Sequence, residues 1–349
     1  MSKRIGVAVL GATGAVGQRF IERLHDHPVF ELKSLVGDGS VGKRYGEAAH
    51  WLLDSPLPDA VAKMQVEPLE ALHRRKDIAV AFSALPGGKA GPIESDLAAR
   101  GFKVFTNARD HRMDADVPLL VPEINADHLA LVKRQKGPGW IVANGNCTSI
   151  VLQFPLAALH RVFGVASCHV VSMQGLSGAG YPGVPSLDVI DNVIPYIGGD
   201  EEGKLETEPH KTLGKLVKGR IVPETFPVFA TCTRVPVREG HTEAVHLHLK
   251  RAATMAKVRK ALQSFRGPPE VAKLRTAPKQ PIHLVDGVDR PQPRRDRDRE
   301  GGMAISVGRL RLSDDGKDLR LVCLGHNTVR GAAGQSVLNA EFAHAAGYL

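Results

Sequence analysis

The stretch RIGVAVLGATGAVGQRFIERL, Arg4 to Leu24, constrains the fold more than any other part of the chain. Its hydrophobic period changes within a few residues. Ile5–Leu10 is a short apolar run suited to a strand buried on both faces, whereas Phe20, Ile21 and Leu24 recur at helical spacing. Between them lies GATGAVG, in which Gly11, Gly14 and Gly17 follow the GxxGxxG form of a dinucleotide-binding turn. Glycines there permit a tight bend and a close phosphate, which would meet the free amides opening a helix. Gly11, Thr13, Gly14, Ala15, Val16 and Gly17 are therefore candidate cofactor contacts, with a mononucleotide site or a plain structural turn as the competing readings.

The strand–helix rhythm continues. Apolar runs at Phe30–Val36, Ile78–Phe82, Lys103–Phe105 and WIVAN alternate with helical patterns, one of them through Asp127–Val132, as an open α/β sheet requires. From about Val165 the pattern changes. ASCHVVSMQGL and CTRVPVREGHTEAVHLHLK read as long, partly alternating strands, and MAISVGRLRL with LRLVCLG reads as a hairpin. The expected class is α/β: an N-terminal Rossmann-like parallel sheet over residues 1–146, a second α+β domain over 147–325, and a helix over 326–349 that returns to the first domain.

Composition excludes several classes. With 349 residues the chain has ample material for a core, and its four cysteines are widely spaced with no CxxC pair, so neither a disulfide framework nor a zinc knuckle is expected. Scattered thiols without a secretory segment fit a reducing cytoplasm, and no apolar run is long enough for a bilayer. No HxxxH or paired Cys/His spacing suggests a metal. The net charge of +9 is concentrated in part in RPQPRRDRDRE, where acids alternate with bases, and aromatics make up only 5%. Nucleic acid is therefore not the expected partner, whereas an anionic small substrate is.

Cys147, in ANGNCTSI, follows an apparent strand and opens an apolar helical pattern from Ile150 to Leu159. A thiol in the first turn feels the positive end of a helix and becomes a candidate nucleophile; the competing reading is a buried cysteine that fills space. Cys168, Cys232 and Cys323 lie within apolar strand patterns, where the second reading holds. Covalent chemistry also needs a proton-transfer partner, and His241 in REGHTEA is the best placed. Gln174 in SMQGLSGAGYPG offers a polar clamp, Glu208 and Lys211 stand three residues apart on a predicted helix, and Arg234 has the planar fork that suits a carboxylate. Taken singly, each of the charged residues also fits an ordinary solvated surface.

At these residues the sequence resembles the aspartate-semialdehyde dehydrogenase family, in the branch common in archaea and fungi. The matching stretches are GATGAVG, TNARDHRMDADVPLLVPEIN, NGNCTSI, SMQGLSGAGYPG, ETEPHKTLG, RVPVREGHTEA, DRPQPRRDRDREGGMAISVGR and HNTVRGAAGQSVLNAE, which together run through nearly the whole chain. The resemblance implies Cys147 as the thiol nucleophile, His241 as the acid/base residue and Gln174 as the group that positions a thioacyl intermediate. It implies Arg234 and Glu208 on the substrate carboxylate and ammonium, and Lys211, Arg112 and Asn107 near substrate and phosphate. It places Ser177, Gly178 and Asn327 beside the nicotinamide, and it implies amino-acid biosynthesis from 4-phospho-L-aspartate, L-aspartate 4-semialdehyde and phosphate, in a homodimer or dimer-based homotetramer. The cofactor it implies is NADP. After the second strand, however, VGDGSVGKRYG carries Asp38, which suits the ribose 2′-hydroxyl of NAD, alongside Ser40, Lys43 and Arg44, which suit the NADP phosphate. A reductase for another activated acid such as malonyl-CoA and a non-catalytic dinucleotide sensor are the alternatives.

Overall fold

In the first sheet, Val7 and Val9 of β1 face one apolar cluster while Ala8 and Leu10 face another. Burial on both faces is what a parallel sheet flanked by helices requires. The computed structural model describes residues 4–349. Its first sheet comprises β1 (Ile5–Leu10), β2 (Phe30–Val36), β3 (Val66–Glu67), β4 (Val80–Ser83), β5 (Lys103–Thr106) and β6 (Trp140–Ala143). They run parallel in the order β3-β2-β1-β4-β5-β6. The chain order reverses between β1 and β4, so a crevice opens beyond their carboxyl ends, where GATGAVG and SALPGGKAG emerge.

The next strands are β7 (Val165–Gln174), the hairpin β8 (Lys215–Val217) and β9 (Arg220–Val222), then β10 (Val228–Arg234) and β11 (His241–Leu249). They are followed by β12 (Ile282–Leu284), β13 (Ile305–Leu312) and β14 (Asp318–Gly325). Apart from the hairpin these form a mixed sheet ordered β10-β7-β11-β14-β13-β12, with β13 and β14 antiparallel as expected. Alternation in β11 sends Val245 and Leu247 into the core and leaves Ala244, His246 and His248 outside. The inner face packs on the helix Cys147–Phe163, and the outer face leaves Val171 and Phe229 about half exposed.

Two local forms differ from expectation. The helix expected over Asp127–Val132 is present in the tighter 3-10 form, over Ala126–Arg134. HNTVRGAAG enters the C-terminal helix Gly334–Ala345 through a π-helical turn, Val329–Ala333. That helix places Val337, Ala340 and Ala343 in the same cluster as Val7, Phe20 and Phe82, so the end of the chain packs on the first sheet. No helix among the described residues is long and apolar enough to cross a membrane.

Candidate active site

Asn146 caps the helix that begins at Cys147: its side-chain oxygen accepts from the amides of Thr148 (2.9 Å) and Ser149 (3.1 Å). The cap fixes the thiol at the positive end of a helix that is almost wholly buried. Cys147 Sγ lies 3.2 Å from His241 Nε2 although the residues are 94 positions apart. The Gly175 amide donates to His241 Nδ1 at 3.1 Å, so the neutral ring carries its proton on Nε2, aimed at sulfur. His241 therefore donates toward the sulfur in the resting site. Burial pushes Cys147 up to about 12, reinforced by the Glu201 charge and opposed by Arg112 and Arg234. Burial, aided by Arg234, pushes His241 down to about 3. Both shifts favour the neutral thiol and the neutral imidazole.

Two cavities meet at this thiol. One, of about 520 Å³, runs from Gly14, Ala15 and Val16 past Ser177, Gly178 and Asn327 to Cys147. Gly14 caps the helix Ala15–Leu24 without any side-chain bond, and a Cβ built on it would meet only the Gly11 carbonyl, at 3.4 Å. The bare helix start and open cradle fit the pyrophosphate of a dinucleotide. Gly11 and Gly17 lie beneath: Gly11 has φ +69°, and a Cβ on Gly17 would come within 2.2 Å of the Gly11 carbonyl, so both glycines serve the turn's packing. Thr13 faces Gly37 at the end of β2. Asn327 ties the far wall together, donating to Ser177 Oγ at 2.8 Å and accepting from the Gly240 amide at 2.8 Å. Ser40 and Lys43 are in the loop after β2 and do not line this cavity; Lys43, Arg44 and Asp38 are exposed there.

The second cavity, of about 620 Å³, holds the charged groups: Arg109, Arg112, Glu201, Lys204 and Arg234, with Gln174 and Asn107. Arg234 donates one nitrogen to the Gly175 carbonyl at 2.7 Å. Gln174 Nε2 reaches Glu201 at 3.3 Å, and Asn107 is braced by Asn144 at 2.8 Å. Glu201 also accepts from Asn146 at 2.9 Å and Lys204 at 3.0 Å. Burial works to raise its pKa, but Lys204 and Asn146 outweigh burial and hold it below the usual carboxylate value.

Glu208 and Lys211 depart from the sequence-based expectation, since neither lines a cavity at the thiol. Glu208 spends one oxygen on Arg112 (2.8 Å) and the other on the Asn146 amide (2.7 Å). Lys211 gives its three protons to the carbonyls of Arg112 (2.6 Å), Asp114 (2.7 Å) and Val117 (2.9 Å), and burial brings its pKa down to about 8. With both Glu208 oxygens and all three Lys211 protons engaged internally, they position Arg112 and the Cys147 helix. The groups that face the cavity are Glu201 and Lys204, seven residues earlier on the same helix, Glu201–Thr212. Their signal in the sequence is EEGK, which has the same three-residue spacing.

Comparison with known proteins gives the family. Residues 6–132 match the family described as "Semialdehyde dehydrogenase, NAD binding domain", and residues 156–330 match "Semialdehyde dehydrogenase, dimerisation domain". An aspartate-semialdehyde dehydrogenase from Methanothermobacter thermautotrophicus is 47% identical over 97% of this chain and 98% of its own. The chain belongs to the aspartate-semialdehyde dehydrogenase family. Among family structures, that of the Candida albicans aspartate-semialdehyde dehydrogenase with NADP superposes with a TM-score of 0.90 at 38% identity, covering 99% of this chain and 100% of that one. A malonyl-CoA reductase (NADP) from Metallosphaera sedula is also related, at 38% identity over 100% of this chain and 99% of its own.

Proposed function

We propose that the protein is an NADP-dependent phosphorylating aspartate-semialdehyde dehydrogenase. The observation that carries this reading is the Cys147–His241 pair at the junction of a dinucleotide cradle and a cavity charged for an amino-acid acyl phosphate. Arg234 takes the α-carboxylate, Glu201 the ammonium, and Arg112 with Asn107 holds the phosphate end. Cys147 sulfur attacks the acyl carbon of 4-phospho-L-aspartate; the carbon–oxygen bond to phosphorus breaks, phosphate leaves, and a thioester remains. As the carbon–sulfur bond forms, the thiol proton passes to the departing phosphate oxygen and leaves as hydrogenphosphate. Gly14, Ala15, Val16, Ser177, Gly178 and Asn327 would hold a nicotinamide dinucleotide in the first cavity, and that group would supply hydride to the thioester. The reduced intermediate, with its negative charge on oxygen, collapses by re-forming the carbonyl and breaking the carbon–sulfur bond, which releases L-aspartate 4-semialdehyde; the Nε2 proton of His241, aimed at the sulfur, stabilises the expelled thiolate until solvent reprotonates it. Gln174, fixed by Glu201, lies where it can orient the thioacyl carbonyl.

The related malonyl-CoA reductase makes the other activated-acid reading worth separating. Malonyl-CoA has no ammonium for the ionised Glu201, which favours the aspartate skeleton. Purified protein should reduce NADP with aspartate semialdehyde only when phosphate is present, faster than NAD, and Cys147→Ala should abolish turnover while still binding cofactor. Comparable turnover of malonyl-CoA, or an active alanine variant, would defeat the reading. The assembly we propose is a homodimer formed through the uncovered face of the mixed sheet, where Val171 and Phe229 stand exposed.

A further inference from the structure

The cations around the second cavity are not equally available. Arg112 is neutralised by Glu208 at 2.8 Å and Lys204 by Glu201 at 3.0 Å. Arg234 and Arg109 form no ion pair among the described residues; each bonds a backbone carbonyl, Gly175 for Arg234 and Gly199 (3.3 Å) for Arg109. The proposed substrate brings an α-carboxylate, a doubly charged acyl phosphate and one ammonium. Glu201 answers the ammonium and Arg234 the carboxylate. With Glu201 drawn to the ammonium, Lys204 and Arg109 are the cations left for the phosphate, and Arg109 is the one with no acidic partner of its own among the described residues.

Its setting suits that task. Asp110 accepts from the amides of Gly88 (2.9 Å) and Gly91 (3.3 Å), and His111 Nε2 lies 3.2 Å from the Gly91 carbonyl, so the chain on the far side of Arg109 is locked onto the GGKAG turn. The Arg109 stem lies over Gly87, where a Cβ would come within 3.1 Å of its Cγ. The guanidinium thus stands at the cavity rim, exposed, with nitrogens left over after the Gly199 bond. A planar fork with spare donors binds phosphate oxygens in pairs.

Building on the functional reading above, we propose that Arg109 is a phosphate-recognition residue that engages the acyl phosphate, or free phosphate in the reverse reaction, beside Arg112. The test uses the purified full-length protein in the semialdehyde-oxidising direction, with phosphate and semialdehyde varied separately. Arg109→Ala should raise the KM for phosphate by about tenfold and move the KM for semialdehyde by less than about twofold. Arg109→Lys, which keeps the charge and loses the fork, should recover part of the loss. Circular dichroism on each variant separates these effects from misfolding. A phosphate-dependent wild type whose Arg109→Ala variant keeps its phosphate KM overturns this inference alone, as does an equal rise in both KM values. A wild type that oxidises the semialdehyde without regard to phosphate overturns the functional reading and the inference with it.

Discussion

Burial and the helix terminus pull the Cys147 thiol in opposite directions. Desolvation, which takes it to about 12, exceeds what a helix end worth about 0.3–2 kcal/mol can restore. In cofactor-free protein the thiolate fraction should therefore still be rising at neutral pH. Alkylation by iodoacetamide should accelerate about tenfold per pH unit between about pH 6 and 9, and at Cys147 alone, because Cys168, Cys232 and Cys323 are buried. A plateau below about pH 7 would mean that Arg112, Arg234 and the helix end prevail. The carboxylates offer a second comparison. Glu201→Gln should raise the KM for semialdehyde by about tenfold with a modest loss of stability. Glu208→Gln, which strands Arg112 beside a neutral amide, should cost about 3 kcal/mol in a denaturant titration. The opposite pattern would restore Glu208 as the ammonium partner.

Along the helix Glu201–Thr212 the sequence presents the same Glu-x-x-Lys spacing twice, seven residues apart. Seven residues turn an α-helix back to within about 20° of its starting direction but advance it by about 10 Å. Periodicity therefore puts both pairs on one face and cannot say which end reaches the cavity. Depth along the axis decides that, and depth is a tertiary property. By contrast, β1, β4 and β6 were legible because buried parallel strands announce themselves as largely unbroken apolar runs, whereas two-residue β3 is too short to carry a pattern. Strand β11 holds a group that alternation predicts to face inward without revealing its state. Glu243 is fully buried, accepts from Cys323 at 3.4 Å on one oxygen, has no partner for the other among the described residues, and has its pKa raised well above the usual value by burial. A carboxyl with a raised folded-state pKa keeps its proton in the native state after the unfolded chain has lost it, so stability falls as pH rises above about 4.3. Glu243→Gln removes that titration. Its stability relative to wild type should grow by about 1.4 kcal/mol per pH unit above that point, measured by urea unfolding at several pH values, and a constant difference would show that Glu243 ionises normally.

Contacts between the two halves of the molecule join residues far apart in the chain, which is why the sequence exposes each half and hides their junction. Arg19, on the first-sheet helix, grips Glu239 with two bonds of 2.8 and 2.9 Å across 220 positions, and the Thr328 hydroxyl adds a bond at 3.2 Å. Burial works against the Glu239 charge, yet His326 and Arg19 hold its pKa far below the usual range. Glu239 immediately precedes Gly240 and His241, so this pair couples the dinucleotide half to the residue facing the thiol. Arg19→Ala should cost about 2 kcal/mol and replace a single calorimetric unfolding transition with two. A single transition at unchanged temperature would show that the halves are joined by other contacts.

The two cavities share Asn107, Arg112, Asn146, Cys147, Gly178 and Ala179, with the sulfur at their common wall. For inhibitor design, one molecule can occupy both. A carboxylate- and ammonium-bearing head seated against Arg234 and Glu201, joined past Cys147 to a nicotinamide-like tail, would meet its second site at the effective concentration set by a short tether, in the millimolar range. Each half alone would be a weak ligand. A mild electrophile at the joint would sit beside the one accessible thiol of the chain and spare the three buried cysteines.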